Sequence, residues 1–297
     1  MQTDSQVTTI IPTLATIEKA ANLKRAVDSI RHSSNIQVSI VVVVNGARAD
    51  PELCEWLSSQ PDIQYERVAR PSLPLAVCHG REIVQTPFFS FLDDDDEYLP
   101  CGIDIKLVAL KANPLADIVI TSGFRQSDDG ETMANSPIAH VPLAPLASLF
   151  ETGWLSSCNA LYRSSAFPAS FFIDAHPFAE WTWLAFKLAM AKRQIVALSE
   201  PTFRIHDTPG SLSKSDSYHA AYQSLYNRML GLSPPLEIAK IIRTRMSADW
   251  HNQSVRALSN ERLFRAIACH LHSLLLPGGR QYLTYTRRLL PGWPISW

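Results

Sequence analysis

Glycine is scarce in this chain, eleven residues in 297, and the phosphate-cradling glycine loops are missing. Neither GxGxxG nor GxxxxGKS/T occurs, which excludes a dinucleotide dehydrogenase of the usual type and a P-loop enzyme; no GxSxG elbow marks a hydrolase. The five cysteines, at 54, 78, 101, 158 and 269, show no CxxC spacing, so they suit reduced thiols rather than a disulfide framework or a zinc cage. Neither sign of charge dominates: 27 basic residues face 28 acidic ones for a net charge of -1. That balance gives no field to attract nucleic acid, and no nucleic-acid partner is expected. Long apolar runs are absent too. The longest, Ile40 to Val44, has strand length and falls far short of the roughly 20 residues of a membrane span. The opening MQTDSQVTTIIPT lacks the basic and apolar stretches of a signal peptide, and a cytoplasmic location is the expectation.

What is present is enough apolar material, 46% of residues, to bury one large core or two modest ones. Beyond residue 234 basic residues outnumber acidic ones nine to three, which predicts an acidic body and a basic helical extension over 214–297, joined near Leu232-Ser233-Pro234-Pro235. Within the body, Val7 to Ile11 reads as a strand. Leu23, Ala26, Val27 and Ile30 then make the apolar stripe of a helix opened near Thr16. Val38 to Val44 is β-branched and unbroken, as a strand buried on both faces should be, and Asp50-Pro51 marks the next helix start. Strands at Ile63 to Val68 and Phe88 to Leu92 flank a helix from about Pro74 to Gln85. This rhythm predicts an α/β fold around a mostly parallel sheet with helices on both faces, so function is sought just after the strands.

The strand Phe88 to Leu92 runs straight into Asp93-Asp94-Asp95-Asp96-Glu97. Five acids in sequence at the end of a buried strand repel one another unless something compensates, and a hard divalent cation, Mn2+ or Mg2+, is the natural remedy. In extended geometry Asp93 and Asp95 would face one way, Asp94 and Asp96 the other. A solvated turn capping the helix near Pro100 is the plainer alternative.

The segments Thr8-Thr9-Ile10-Ile11-Pro12-Thr13, Ala26 to Ile30, Val41 to Ala47, and Phe91 to Asp96 with Pro100 together resemble the family 2 glycosyltransferases of the GT-A fold. The resemblance extends to roughly Ser213, divided here into a nucleotide-sugar part over 1–122 and an acceptor part over 123–213. It implies inverting, metal-dependent transfer from a nucleotide diphosphate sugar, expected to carry UDP, to a glycan or lipid-linked glycan. Bacterial surface polysaccharide or glycolipid assembly is the setting it suggests. Pro12, Thr13 and Leu14 with Asn45 are then the base-binding residues, Asn45 standing where the family usually has aspartate. Asp95 is the metal ligand, and Asp93 or Asp94 meets the ribose. Arg81 and Arg204 are candidates for the diphosphate, Ser211 belongs to the serine-containing loop beyond it, and His206 can ligate the metal or meet the diphosphate. Glu180 keeps one member of the family's acidic pair, with Trp181 in place of the second, and is the candidate general base at the start of a helix whose dipole favours its ionised form. Trp154, Trp181 and Trp183 are acceptor-stacking candidates.

Two other function classes stay open on the residues alone. Asn45 and Trp181, standing where acids are expected, would suit a noncatalytic nucleotide-sugar or glycan-binding module, and acidic metal chemistry on α/β architecture would suit a nucleotidyltransferase. The leucines, arginines and aromatic residues of 271–297 match a peripheral contact with an anionic membrane or a partner surface.

Overall fold

The computed structural model describes residues 5–207 and 216–290, with backbone alone for 216–220. Two compact units divide at Ser211 and Leu212. The first alternates strands and helices: β1 (Val7–Thr13), α1 (Ala20–His32), β2 (Val38–Asn45), α2 (Pro51–Ser59), β3 (Ile63–Val68), α3 (Leu73–Ile83) and β4 (Phe88–Phe91). These strands pair in parallel in the order β3-β2-β1-β4. Asp50 caps α2, its carboxylate accepting from the Leu53 amide at 2.9 Å, as the Asp-Pro signal predicts. Leu23, Ala26, Val27 and Ile30 are all buried against the sheet, so the helical stripe does what its spacing requires.

Past β4 the sheet becomes mixed. β5 (Glu97–Tyr98), α4 (Gly102–Ala112), β6 (Ile118–Ser127), β7 (Gly130–Ala134), α5 (Pro145–Thr152), β8 (Ala160–Arg163), α6 (Glu180–Met190) and β9 (Ile195–His206) complete it. β8 runs antiparallel to both β4 and β6, β9 parallel to β6, and β5 antiparallel to β9. Residues 122 and 123 lie within β6, where its register with β9 shifts. Four strand ends gather where the site is sought: Thr13, Asn45 and Asp93 follow from the parallel pairing of β1, β2 and β4, and His206 closes β9. Gly80 lets α3 lie flat on β1, since a Cβ there would stand 2.5 Å from Ile10 Cγ2.

The second unit holds α7 (Asp216–Gly231), α8 (Leu236–Ser259), α9 (Leu263–Leu275) and a 3-10 helix over Gly279–Leu289. It is helical, as expected. No helix among the described residues is long and apolar enough to cross a membrane.

Candidate active site

The four aspartates form a tight turn rather than an extended run, with the Asp96 amide donating to the Asp93 carbonyl at 3.2 Å. The side chains nonetheless divide as expected in one respect: Asp94 and Asp96 are buried, whereas Asp93 and Asp95 keep an open edge. Asp94 accepts from the Thr13 hydroxyl at 2.6 Å and from Lys19 Nζ at 2.5 Å. Asp96 accepts from the His206 amide at 3.1 Å. Asp93 accepts from the Ser157 hydroxyl at 2.7 Å, and Arg25 holds the Asp95 carbonyl at 2.5 Å. The turn is therefore pinned from β1, α1, the loop before β8 and β9 at once.

Crowding of like charge remains. Burial, then Asp95 and Asp94, pushes the Asp93 carboxyl up to about 7 against the help of Ser157. Burial raises Asp94 despite Lys19 and Thr13, and raises Asp96 well above the carboxylate range with Asp93 and Asp95 adding to it. Lys19 shows the other side of that field: burial opposes its charge, yet Asp94, Asp95 and Asp93 together lift its basicity. His206 is pushed down by burial and by Arg25. Its Nε2 is buried without a hydrogen bond, 3.4 Å from Glu97 Oε1 but outside bonding geometry.

Among the described residues no three histidine, cysteine or carboxylate side chains converge as a ready-made metal cage. Mg2+-type sites at phosphates need less, one or two carboxylates with the phosphates completing the shell. Asp93 and Asp95 offer two oxygen donors, and a divalent cation beside them would relieve the repulsion that raises Asp93, whereas the His206 Nε2 is set against Glu97. The donor set fits.

Several expected contacts take a different form. Asn45 is buried and spends its amide on the chain, donating to the Thr13 carbonyl at 2.9 Å and accepting from the Ser72 amide at 3.0 Å. The side chains of Pro12 and Thr13 are buried, and only Leu14 of that trio is partly open. Arg81 is a core residue: it donates to the carbonyls of Phe167 and Ser164 at 2.8 and 2.7 Å and lies over the Phe89 ring. Arg204 bridges Glu97 at 2.6 Å and Glu131 at 2.8 Å. Those two acids hold the guanidinium across β5, β7 and β9. Ser211 lies outside the described residues.

Of the tryptophans, Trp154 is fully enclosed with its Nε1 on the Pro145 carbonyl at 2.9 Å, and Trp183 is 2% exposed and stacked on Phe186. Both are core, because each sits on the inward side of its element. Trp181 stays partly open, its ring 5.3 Å from that of Phe91 at the end of β4, and so couples α6 to the strand that carries the aspartates. Glu180 opens α6 in an apolar pocket of Leu73, Pro74, Val77, Phe172 and Trp181. Burial there raises its carboxyl although the backbone amides of Glu180 and Phe178 favour the charge, so the apolar wall outweighs the helix terminus expected to dominate. The Phe178 amide donates to Glu180 at 3.2 Å from a left-handed backbone, φ +65°, a conformation that bulky residues adopt only under constraint. Asp174, six residues before Glu180, is paired with Lys187.

The sequence reading missed Lys19, Arg25 and Ser157. A lysine and an arginine just after a strand that ends at the site were the available signal; Ser157 carried none.

A family model described as "Glycosyl transferase family 2" matches residues 8–171. The chain belongs to that family. Among solved structures this glycosyltransferase is similar in fold to S. aureus TarS. The TarS 1–349 complex with UDP-GlcNAc superposes with a TM-score of 0.63 at 13% identity, over 96% of this chain and 82% of that one. The UDP complex of the same fragment gives 0.54 at 14% identity, over 93% and 91%. A further TarS structure gives 0.57 at 13% identity, over 82% of this chain and 43% of that one. No curated protein matches the chain.

Proposed function

We propose that this family 2 glycosyltransferase moves a sugar from a UDP-sugar to a hydroxyl of a glycan or lipid-linked glycan, with inversion at the anomeric carbon, in assembly of a bacterial surface polysaccharide or glycolipid. The observation that carries the reading is the pinned Asp93–Asp96 turn at the carboxyl end of β4, beside Thr13 and Asn45 at the ends of β1 and β2. In parallel sheets that edge is where nucleotides bind. UDP as carrier is supported by the two TarS complexes.

Asp95 and His206, with Asp93, would hold Mn2+ or Mg2+, which supplies positive charge against the diphosphate and its leaving group. Asn45 and Thr13 fix the loop that receives the base. Lys19 favours the charged form of Asp94 against burial and, with Thr13, holds its carboxyl group in place, so the turn presents one geometry. Glu180 takes the acceptor proton. Its raised basicity brings it nearer neutrality, where a general base is most effective, and Trp181 beside it covers the acceptor side.

A panel of UDP-sugars with Mn2+ and candidate acceptors tests the reading. Acceptor-dependent release of UDP, with a glycosidic bond of inverted configuration in the product, is the expected result. Pyrophosphate among the products would show a nucleotidyltransferase instead, and donor binding without release under any acceptor would show a binding module.

A further inference from the structure

The second unit carries a helix turned inside out. Soluble helices bury their apolar stripe and expose polar residues, but the inward face of α9 is Ala266, Cys269, His270 and Ser273. Serines from α8 clasp it there, Ser254 donating to the Ala266 carbonyl at 2.7 Å and Ser247 to that of Ser273 at 2.8 Å. The outward face is Phe264, Ala268, Leu271 and Leu275, at i, i+4, i+7 and i+11, with Phe264 91% and Leu275 83% exposed. At 3.6 residues per turn these four make one continuous apolar stripe. Exposed Arg265 and His272 border it on one side, half-buried Ile267 and Leu274 on the other.

Charge identifies what the stripe meets. From Arg262 to the end of the sequence there are five arginines, at 262, 265, 280, 287 and 288, and no aspartate or glutamate. Two copies of this face set against each other would oppose arginine to arginine. A surface that is apolar below a dense negative layer satisfies both features: leucine and phenylalanine enter the acyl boundary while arginines stay among anionic headgroups. The thirteen residues of α9 are too few to span a bilayer, so the helix lies along it. We infer that the outward face of α9, centred on Phe264, Leu271 and Leu275 with Arg265 at its border, docks the protein on an anionic lipid surface. The contact thus begins seven residues before the segment that composition alone suggests, and it does not depend on the transfer reaction.

The test uses the full chain and vesicles of phosphatidylcholine with or without about a third phosphatidylglycerol. The wild type is expected to cofloat with the anionic vesicles and little with the neutral ones. The triple variant Phe264→Ser, Leu271→Ser, Leu275→Ser is expected to bind at least about tenfold more weakly, with its melting temperature unchanged because the side chains are already exposed. Arg265→Gln should cost about fivefold at low salt and less at high salt. Equal flotation of wild type and triple variant would overturn the assignment, as would equal binding to neutral and anionic vesicles or no binding at all. A dimer in sedimentation velocity that the triple variant abolishes would give the face to a second copy and overturn it as well.

Discussion

Burial raises the acids at both ends of the site, but the company they keep differs. At the Asp93–Asp96 turn, Asp93, Asp94 and Asp96 are raised by burial and by neighbouring aspartates, and Lys19 is the one described ammonium set among them. Glu180 is set among mostly apolar side chains, with the backbone amides of Glu180 and Phe178 opposing the effect of burial. The first arrangement holds unfavourable charge that a cation can relieve. The second holds an unfavourable charge that taking a proton relieves. Under the proposed function, a cation site and a proton acceptor would come from the same functional group, and the difference would lie in neighbours rather than in the carboxylate.

Substitutions separate the two. Asp95→Asn should lower transfer by about 10⁴-fold, the loss of several kcal/mol of charge stabilisation, while the melting temperature holds or rises because a repelling charge is gone. Turnover assayed with saturating Mn2+ checks it. Glu180→Gln should lower kcat about 10²- to 10³-fold with donor affinity unchanged, as for loss of a general base. If turnover survives, the base lies elsewhere.

The contrast also predicts opposite demands on metal as pH changes. A carboxyl raised in the folded state binds its proton more tightly there than in the unfolded chain, so its contribution to stability is complete below the unfolded value near 3.8 and is lost as pH rises through about 7 for Asp93. Without metal, stability should fall across that window, and Mn2+ should raise the melting temperature more at about pH 8 than at about pH 5. Calorimetric scans at the two pH values measure it, and Asp93→Asn should flatten the dependence. The smallest functional effect belongs to Arg81→Met, outside both acidic clusters. It should cost about 2 to 3 kcal/mol of stability by leaving two buried carbonyls unmet, with UDP affinity unaltered.

The parallel half of the sheet was legible because its strands are short β-branched or aromatic runs whose ends carry the site: β2, β3 and the Asp50 cap fall where the pattern puts them. Beyond β4 the sheet is mixed, and pairing there depends on chain segments far apart. Arg81 illustrates the limit. Its position in α3 suggested a phosphate ligand, yet Ser164 and Phe167, more than eighty residues on, decide that it is core. Trp154 and Trp183 are similar, since a tryptophan's sequence neighbours do not say which side of an element it faces. Asp93 to Asp96 could be read as metal-seeking from composition, but their turn geometry and the Lys19 and Ser157 partners come from the turn just before α1 and the loop before β8. The helical second unit was foreseen from charge. The outward stripe on α9 was not, because periodicity gives the angle of a stripe and leaves open which side is buried.

The most direct test of the central claim is the affinity for UDP, measured by calorimetry with and without Mn2+ in the wild type and in Asp95→Asn. A cation site at the turn predicts that Mn2+ tightens UDP binding at least about tenfold in the wild type and that the variant loses most of this gain while keeping its fold. Binding that is equally tight without metal and unchanged in Asp95→Asn would contradict it.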